Sequence, residues 1–252
     1  MNHTSLRWAV VEAARGMNAR GLNRGRSGNV SARVPEGMLL TPSALPYESL
    51  EPAGIVTLGL DGGVVDAGAG PPSTEWHLHA AILAARPDVG AVLHAHPIHA
   101  TALACLRREI PAFHYMVALA GGDSIPCAPY ATFGTAELAA HVLSALEGRR
   151  ACLLANHGIV TVGESPAEAL ELAVEVETLA SQYVAALQVG PPVLLSAAQM
   201  AEVHTRFRDY GRGHGRRGHE DLAPEGRGRG SGNDEKEGRK PKLPPPDVPG
   251  AP

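Results

Sequence analysis

Apolar positions recur at helical spacing over residues 4–19, where Leu6, Val10, Ala13 and Met17 fall on one stripe. A loop bearing Gly and Arg covers 21–28. Two short apolar runs, 29–34 and 38–41, predict strands with a turn between them. Runs 55–60 and 64–66 flank Asp61-Gly62-Gly63, which predicts a hairpin. Pro71-Pro72-Ser73 opens a helix predicted over 74–86, with Ser73 as N-cap and Pro87 as its stop. Over 89–96, Val89, Ala91, Leu93 and Ala95 alternate with Gly90, Val92, His94 and His96, the period of a strand that Pro97 ends.

Residues 101–107 read as a short helix, 121–135 as a Gly/Pro-rich connection, and 136–147 as a helix stopped by Gly148. A buried strand at 151–155, a turn at Asn156-His157-Gly158 and a strand at 159–162 follow. Ser165-Pro166-Ala167-Glu168 is a capping box with proline at the first helical position, starting a helix to about Gln188. The last helix starts at Ser196 and ends near Arg208. No internal repeat is seen. These elements predict one α/β domain (α+β-like) over residues 1–210, with a mostly antiparallel central sheet and helices on both sides.

Composition changes at residue 211. Ten glycines and seven prolines occupy 211–252, with no Phe, Tyr or Trp. Such a segment buries too little apolar surface to offset the entropy of ordering, which predicts a disordered tail, with a short docking strap as the alternative. The tail carries nine Lys or Arg and seven Asp or Glu, leaving the first 210 residues at a net −6. An acidic body argues against nucleic acid as a partner. All the lysines, Lys236, Lys240 and Lys242, lie in the tail. The body therefore has no Schiff-base lysine and no phosphate-loop lysine, and any carbonyl chemistry needs another electrophile. Cys105, Cys127 and Cys152 form no disulfide framework. No run approaches the roughly 20 apolar residues of a membrane span, and Met1–Gly16 lacks a signal-peptide layout. A cytoplasmic protein with no membrane partner is expected.

His94 and His96, two apart on a strand, face the same side, and His157 sits in a turn after a buried strand. Three imidazoles with an open fourth position are the layout of a catalytic zinc site, although a His-x-His on a strand is also compatible with ordinary packing. Glu75 is the candidate base; a carboxylate in the first turn also simply complements the helix dipole. Ser73, Thr74 and the N–H groups of that turn could hold an anion, as could Gly25, Gly28 and Asn29, with Arg26 adding a bidentate donor. His77 and His79 lie on a helix about 200° apart and cannot share an ion. Glu75 and His79, four apart, form either a supporting contact or a surface pair.

Taken together, Gly25-x-x-Gly28-Asn29-Val30-Ser31, Thr41-Pro42-Ser43, Ser73-Thr74-Glu75-Trp76, His94-x-His96, His114-Tyr115-Met116 and Asn156-His157-Gly158 resemble the class II aldolase/adducin family. The stretch from Gly121 to Thr135 resembles its L-fuculose-phosphate aldolase branch, and the likeness runs from about residue 5 to Tyr210. The resemblance implies a zinc ion on His94, His96 and His157, with Glu75 as proton-transfer base and as a further ligand when substrate is absent. It implies a phosphate pocket of Gly28, Asn29, Ser43, Ala44, Ser73 and Thr74. Tyr115, from a neighbouring subunit, would be the acid at the aldehyde oxygen, with Phe133 and Tyr210 shaping the aldehyde side of a homotetramer.

Arg26, Ala44 and Thr74 depart from the aldolase pattern, which has a small hydroxyl residue, a glycine and a second serine at these positions. The departures bear on the substrate rather than the metal. The expected reaction is reversible cleavage of a ketose 1-phosphate, a small phosphorylated sugar with L-fuculose 1-phosphate as the leading case, to dihydroxyacetone phosphate and an aldehyde such as L-lactaldehyde. A pentulose-phosphate 4-epimerase, a sugar-phosphate dehydratase and a non-catalytic adducin-like module are the competing readings.

Overall fold

The computed structural model describes residues 3–214, with side chains described to Arg208. The helices are α1 (Thr4–Ala19), α2 (Trp76–Ala85), α3 (Ile98–Cys105), α4 (Ala136–Ala145), α5 (Pro166–Val189) and α6 (Ala197–His214). The strands are β1 (Asn29–Val34), β2 (Gly37–Leu40), β3 (Val56–Leu58), β4 (Val64–Asp66), β5 (Ala91–Ala95), β6 (Cys127–Ala128), β7 (Ala151–Leu154) and β8 (Gly158–Gly163). They form one eight-stranded sheet in the order β4-β3-β2-β1-β5-β8-β7-β6. Every neighbouring pair is antiparallel except β6 with β7. Most of the predicted tail lies outside the described residues.

Strand β5 is central and covered on both faces. Leu93 belongs to one buried cluster with Val10 and Met17 of α1, Leu103 of α3 and Val176 of α5, whereas Val92 belongs to another with Ile82 of α2 and Val142 of α4. Burying a side chain of this size stabilises the fold by about 1.5–3 kcal/mol. The double cover explains why β5 is apolar at both alternating sets of positions. It also means that a polar side chain on β5 needs a partner inside the protein.

Local chemistry sets the helix starts. Ser165 Oγ accepts the Glu168 N–H at 3.3 Å, with Pro166 at the first helical position, as the capping box predicts. The reciprocal arm differs, because Glu168 Oε2 takes the N–H of Glu164. Helix α2 begins at Trp76, two residues later than expected, and Glu75 rather than Ser73 stands at its N-cap, without a side-chain cap. The cause is tertiary: Pro72 bridges to Pro42 and the Ser73 N–H bonds Thr41 O, which keep this segment extended. Helix α3 starts early at Ile98 because Glu177 of α5 accepts the N–H groups of His99 and Ala100 at 3.0 and 2.9 Å. The Gly/Pro-rich connection holds the two-residue strand β6, between Pro126 and Pro129 and too short to give a periodic signal. A 3-10 turn, Tyr115–Ala120, was likewise not foreseen.

Candidate active site

The register places Asn29 of β1 directly opposite His94 of β5, so both side chains rise from one face of the sheet. His96 lies one residue past the end of β5 and His157 in the turn between β7 and β8. The three imidazoles converge. His94 Nε2 and His96 Nε2 are 2.8 Å apart, and one ligand nitrogen from each of the three rings lies within 4.8 Å of the others. Helix α2 brings Glu75 onto the group from above: Oε2 lies 3.2 Å from His94 Nε2, and Oε1 3.3 Å from His157 Nε2.

Backbone groups hold the rings. His94 Nδ1 is 2.8 Å from Ile159 O; a carbonyl only accepts, so Nδ1 carries a hydrogen and Nε2 is the nitrogen that faces the cluster. The His96 N–H donates to Asn23 Oδ1 at 2.7 Å. Asn156 adopts a left-handed φ of 55°, and its N–H bonds Ala104 O. Arg107 Nε donates to Asn156 Oδ1 at 3.2 Å, which anchors the turn before His157. Glycine is required just after it: a Cβ on Gly158 would lie 2.4 Å from Ala95 O and 2.6 Å from the His96 ring.

The electrostatics favour positive charge at this point. Burial pushes the Glu75 carboxyl up, but His94, His157 and the Asn29 amide together hold it well below the usual carboxylate range. Burial, with His94 and His157, lowers His96 to about 3. Burial and then His94 lower His157 to about 4. Burial also opposes protonation of His94, but the Glu75 charge and hydrogen bond outweigh it and raise its pKa. Two neutral imidazoles thus offer lone pairs beside an ionised carboxylate whose Oε1 is buried without a hydrogen-bond partner. Such a donor set fits a divalent cation.

Among the predicted anion-binding residues, Ser73 is buried and its Oγ accepts from Asn29 Nδ2 at 3.0 Å. Asn29 Nδ2 also donates to Glu75 Oε2 at 3.0 Å. Thr74 is exposed beside this group. Gly28 has φ +80°, and a Cβ there would meet Asn23 Nδ2 at 2.2 Å and His94 O at 2.6 Å, so this glycine serves close packing beneath the site. Ser43 Oγ donates to Pro72 O at 2.9 Å. Ala44 is exposed with a left-handed φ of 62°, and Arg26 Nη1 donates to its carbonyl at 2.8 Å. Arg26 therefore ties the 25–28 loop to the 43–44 turn.

Neither Tyr115 nor Phe133 makes a hydrogen bond or ring contact to His94, His96 or His157. Tyr115 is 48% exposed, with its ring near His114 and Phe207. Phe133 is 61% exposed. Tyr210 falls in α6, but its side chain lies outside the described residues. The residues that sequence reasoning missed are Asn23, Ser31, Arg107 and the Ile159 carbonyl. Their partners lie 48–73 positions away, so no local pattern marks them.

Known proteins resemble this chain in sequence and in fold. Residues 9–184 match the Class II Aldolase and Adducin N-terminal domain. A 5-methylthioribulose-1-phosphate/5-deoxyribulose-1-phosphate aldolase of Rhodospirillum rubrum is 51% identical over 207 residues, which covers 82% of this chain and 93% of that one. The L-fuculose phosphate aldolase of Escherichia coli K12 is 46% identical over 212 residues, covering 84% and 98%. A solved L-fuculose 1-phosphate aldolase superposes with a TM-score of 0.78 at 37% identity, covering 81% and 97%. The chain belongs to the class II aldolase and adducin N-terminal domain family, and it is an aldolase-type enzyme, an aldehyde-lyase, of that metal-dependent family. No described helix is long and apolar enough to cross a membrane.

Proposed function

We propose that this chain is a zinc-dependent aldolase that reversibly cleaves a ketose 1-phosphate to dihydroxyacetone phosphate and an aldehyde. The observation that carries the reading is the convergence of His94, His96 and His157 on Glu75, whose Oε1 has no hydrogen-bond partner. Cleavage leaves an electron pair on the carbon next to a carbonyl, and a body without lysine cannot hold it as an enamine. The cation, held by the three histidines, supplies Lewis-acid stabilisation of that charge when bound. Glu75 moves the proton at the same carbon, a role worth roughly 10²–10⁴-fold. Ser73 Oγ already accepts from Asn29, which leaves its own O–H to donate toward a substrate anion. Asn29, Ser43, Thr74 and the Gly28 and Ala44 backbone complete the phosphate side, with Arg26 adjoining it.

L-Fuculose 1-phosphate, yielding L-lactaldehyde, remains a candidate substrate. The names of the relatives add 5-deoxyribulose 1-phosphate and 5-methylthioribulose 1-phosphate. All three are ketose 1-phosphates with an apolar far end, and exposed Phe133 offers an apolar surface for such an end. Tyr115, exposed on the isolated chain, serves the site of a neighbouring subunit in a cytoplasmic homotetramer, and Tyr210 helps shape the aldehyde side. The test is a panel of zinc-loaded enzyme with these three substrates and L-ribulose 5-phosphate, with products identified. Release of dihydroxyacetone phosphate supports the reading. Epimerisation of L-ribulose 5-phosphate without cleavage of any ketose 1-phosphate overturns it.

A further inference from the structure

His79 is fully buried on α2, and both of its ring nitrogens are engaged. Nε2 meets Asn29 Oδ1, and Nδ1 lies 2.7 Å from Ser31 Oγ. The direction of every bond follows from one fact: the Glu75 carboxylate only accepts. Asn29 must therefore turn its amide nitrogen toward Glu75, 3.0 Å away, and its oxygen toward His79. That oxygen only accepts, so His79 Nε2 carries the hydrogen. Nδ1 is then bare and accepts the Ser31 hydroxyl. The chain runs Ser31, His79, Asn29, Glu75 with every donor matched to an acceptor. Burial, followed by His94, lowers His79 to about 3, so the ring is neutral and carries one hydrogen, which the Asn29 oxygen places on Nε2.

An asparagine amide beside an ionised carboxylate has two orientations, and the flipped one sets oxygen against oxygen. The carboxylate disfavours the flip, and the ring opposes it again while Nε2 carries the hydrogen, because the flipped amide would set its NH₂ against that N–H. Deepening the aldolase reading, we propose that His79 is a positioning residue whose Nε2–H locks the Asn29 amide with its nitrogen on Glu75 Oε2, leaving Oε1 as the oxygen that handles the proton.

The test joins a spectroscopic and a kinetic readout on the zinc-loaded full-length protein. ¹⁵N–¹H spectra of the His79 ring should show a protonated, slowly exchanging Nε2 and a bare Nδ1. His79→Leu removes the donor and should lower kcat about 10–100-fold, the usual loss for a group supporting a metal site, with KM and zinc content within about twofold. His79→Gln can still offer an N–H to Asn29 and should recover most of that loss. A Nδ1–H tautomer, an unchanged kcat in His79→Leu, or equal losses in the Leu and Gln variants would overturn the proposal. If His79→Leu does not fold, Ser31→Ala replaces it. Faster exchange of the His79 Nε2–H in that variant supports the chain, and unchanged exchange contradicts it. Failure of the wild-type enzyme on every substrate would sink the aldolase reading alone, since the ring tautomer is read without turnover.

Discussion

Glu75 Oε2 lies 3.2 Å from His94 Nε2, although one residue enters a helix and the other sits on the central strand. Oε2 also accepts from Asn29 Nδ2, and His94 Nε2 also meets His96 Nε2 at 2.8 Å, so the pair sits at the centre of the cluster. A carboxylate so placed can contribute to cation binding and carry a proton, and the two roles separate on substitution.

Glu75→Gln keeps the shape and leaves the three imidazoles in place. It should fold and hold zinc near one equivalent while turnover falls roughly 10²–10⁴-fold. Metal analysis beside steady-state kinetics checks this, and full activity would remove Glu75 from proton transfer.

A chelator should abolish cleavage and added zinc should restore it, with His157→Ala reducing metal content as well as rate. His157 is held by a turn rather than a strand, so its loss should leave the fold intact by circular dichroism. Cleavage that survives complete zinc removal contradicts the proposal.

Gly28→Ala tests the packing beneath the site. The added Cβ would meet Asn23 Nδ2 and the His94 carbonyl well inside contact distance, at a φ of +80°. A strained non-glycine residue there costs of order 1–3 kcal/mol before the clash is counted, so Tm should fall by several degrees. An unchanged Tm would mean that the loop moves freely away from β5.

Acid should destabilise the fold through His79. Its folded pKa of about 3 lies below the ordinary 6.5, so below pH 6.5 the unfolded chain binds a proton that the folded chain does not. Stability from this residue is complete above pH 6.5 and declines toward pH 3, by about 2 kcal/mol at pH 5. Denaturant titrations from pH 7.5 to 5 should show a shallower decline in His79→Gln than in the wild type. Equal slopes would contradict a neutral buried imidazole.

Arg26→Ser removes the tie to the Ala44 carbonyl and a positive charge near the phosphate side. KM for the sugar phosphate should rise several-fold with kcat little changed, because the residue is remote from the bond that breaks. A fall in kcat alone would place Arg26 elsewhere in the reaction.

The elements were legible wherever their cause was local. The stripe of α1, the alternation of β5 and the cap at Ser165 are carried by neighbouring residues, and each stands close to its predicted bounds. Expectations slipped where the cause was distant. Glu177 starts α3 from 77 or 78 positions away, and the bridge from Pro42 to Pro72 delays α2 and puts Glu75 at its N-cap. Strand β6 is too short to show a period and exists only because β7 lies beside it.

By itself the sequence determined the residue types, and with them the chemistry available: imidazoles and a carboxylate, no lysine in the body, and strands able to carry side chains on one face. Only the tertiary structure decided that β1 lies against β5 in the register that sets Asn29 opposite His94. It also decided that α2 brings Glu75 and His79 onto the same face. The physical reason is one of range. Propensity and periodicity act over a few residues, whereas the orientation of an imidazole or an amide is set by hydrogen-bond partners from other strands, and those meet only when the sheet closes.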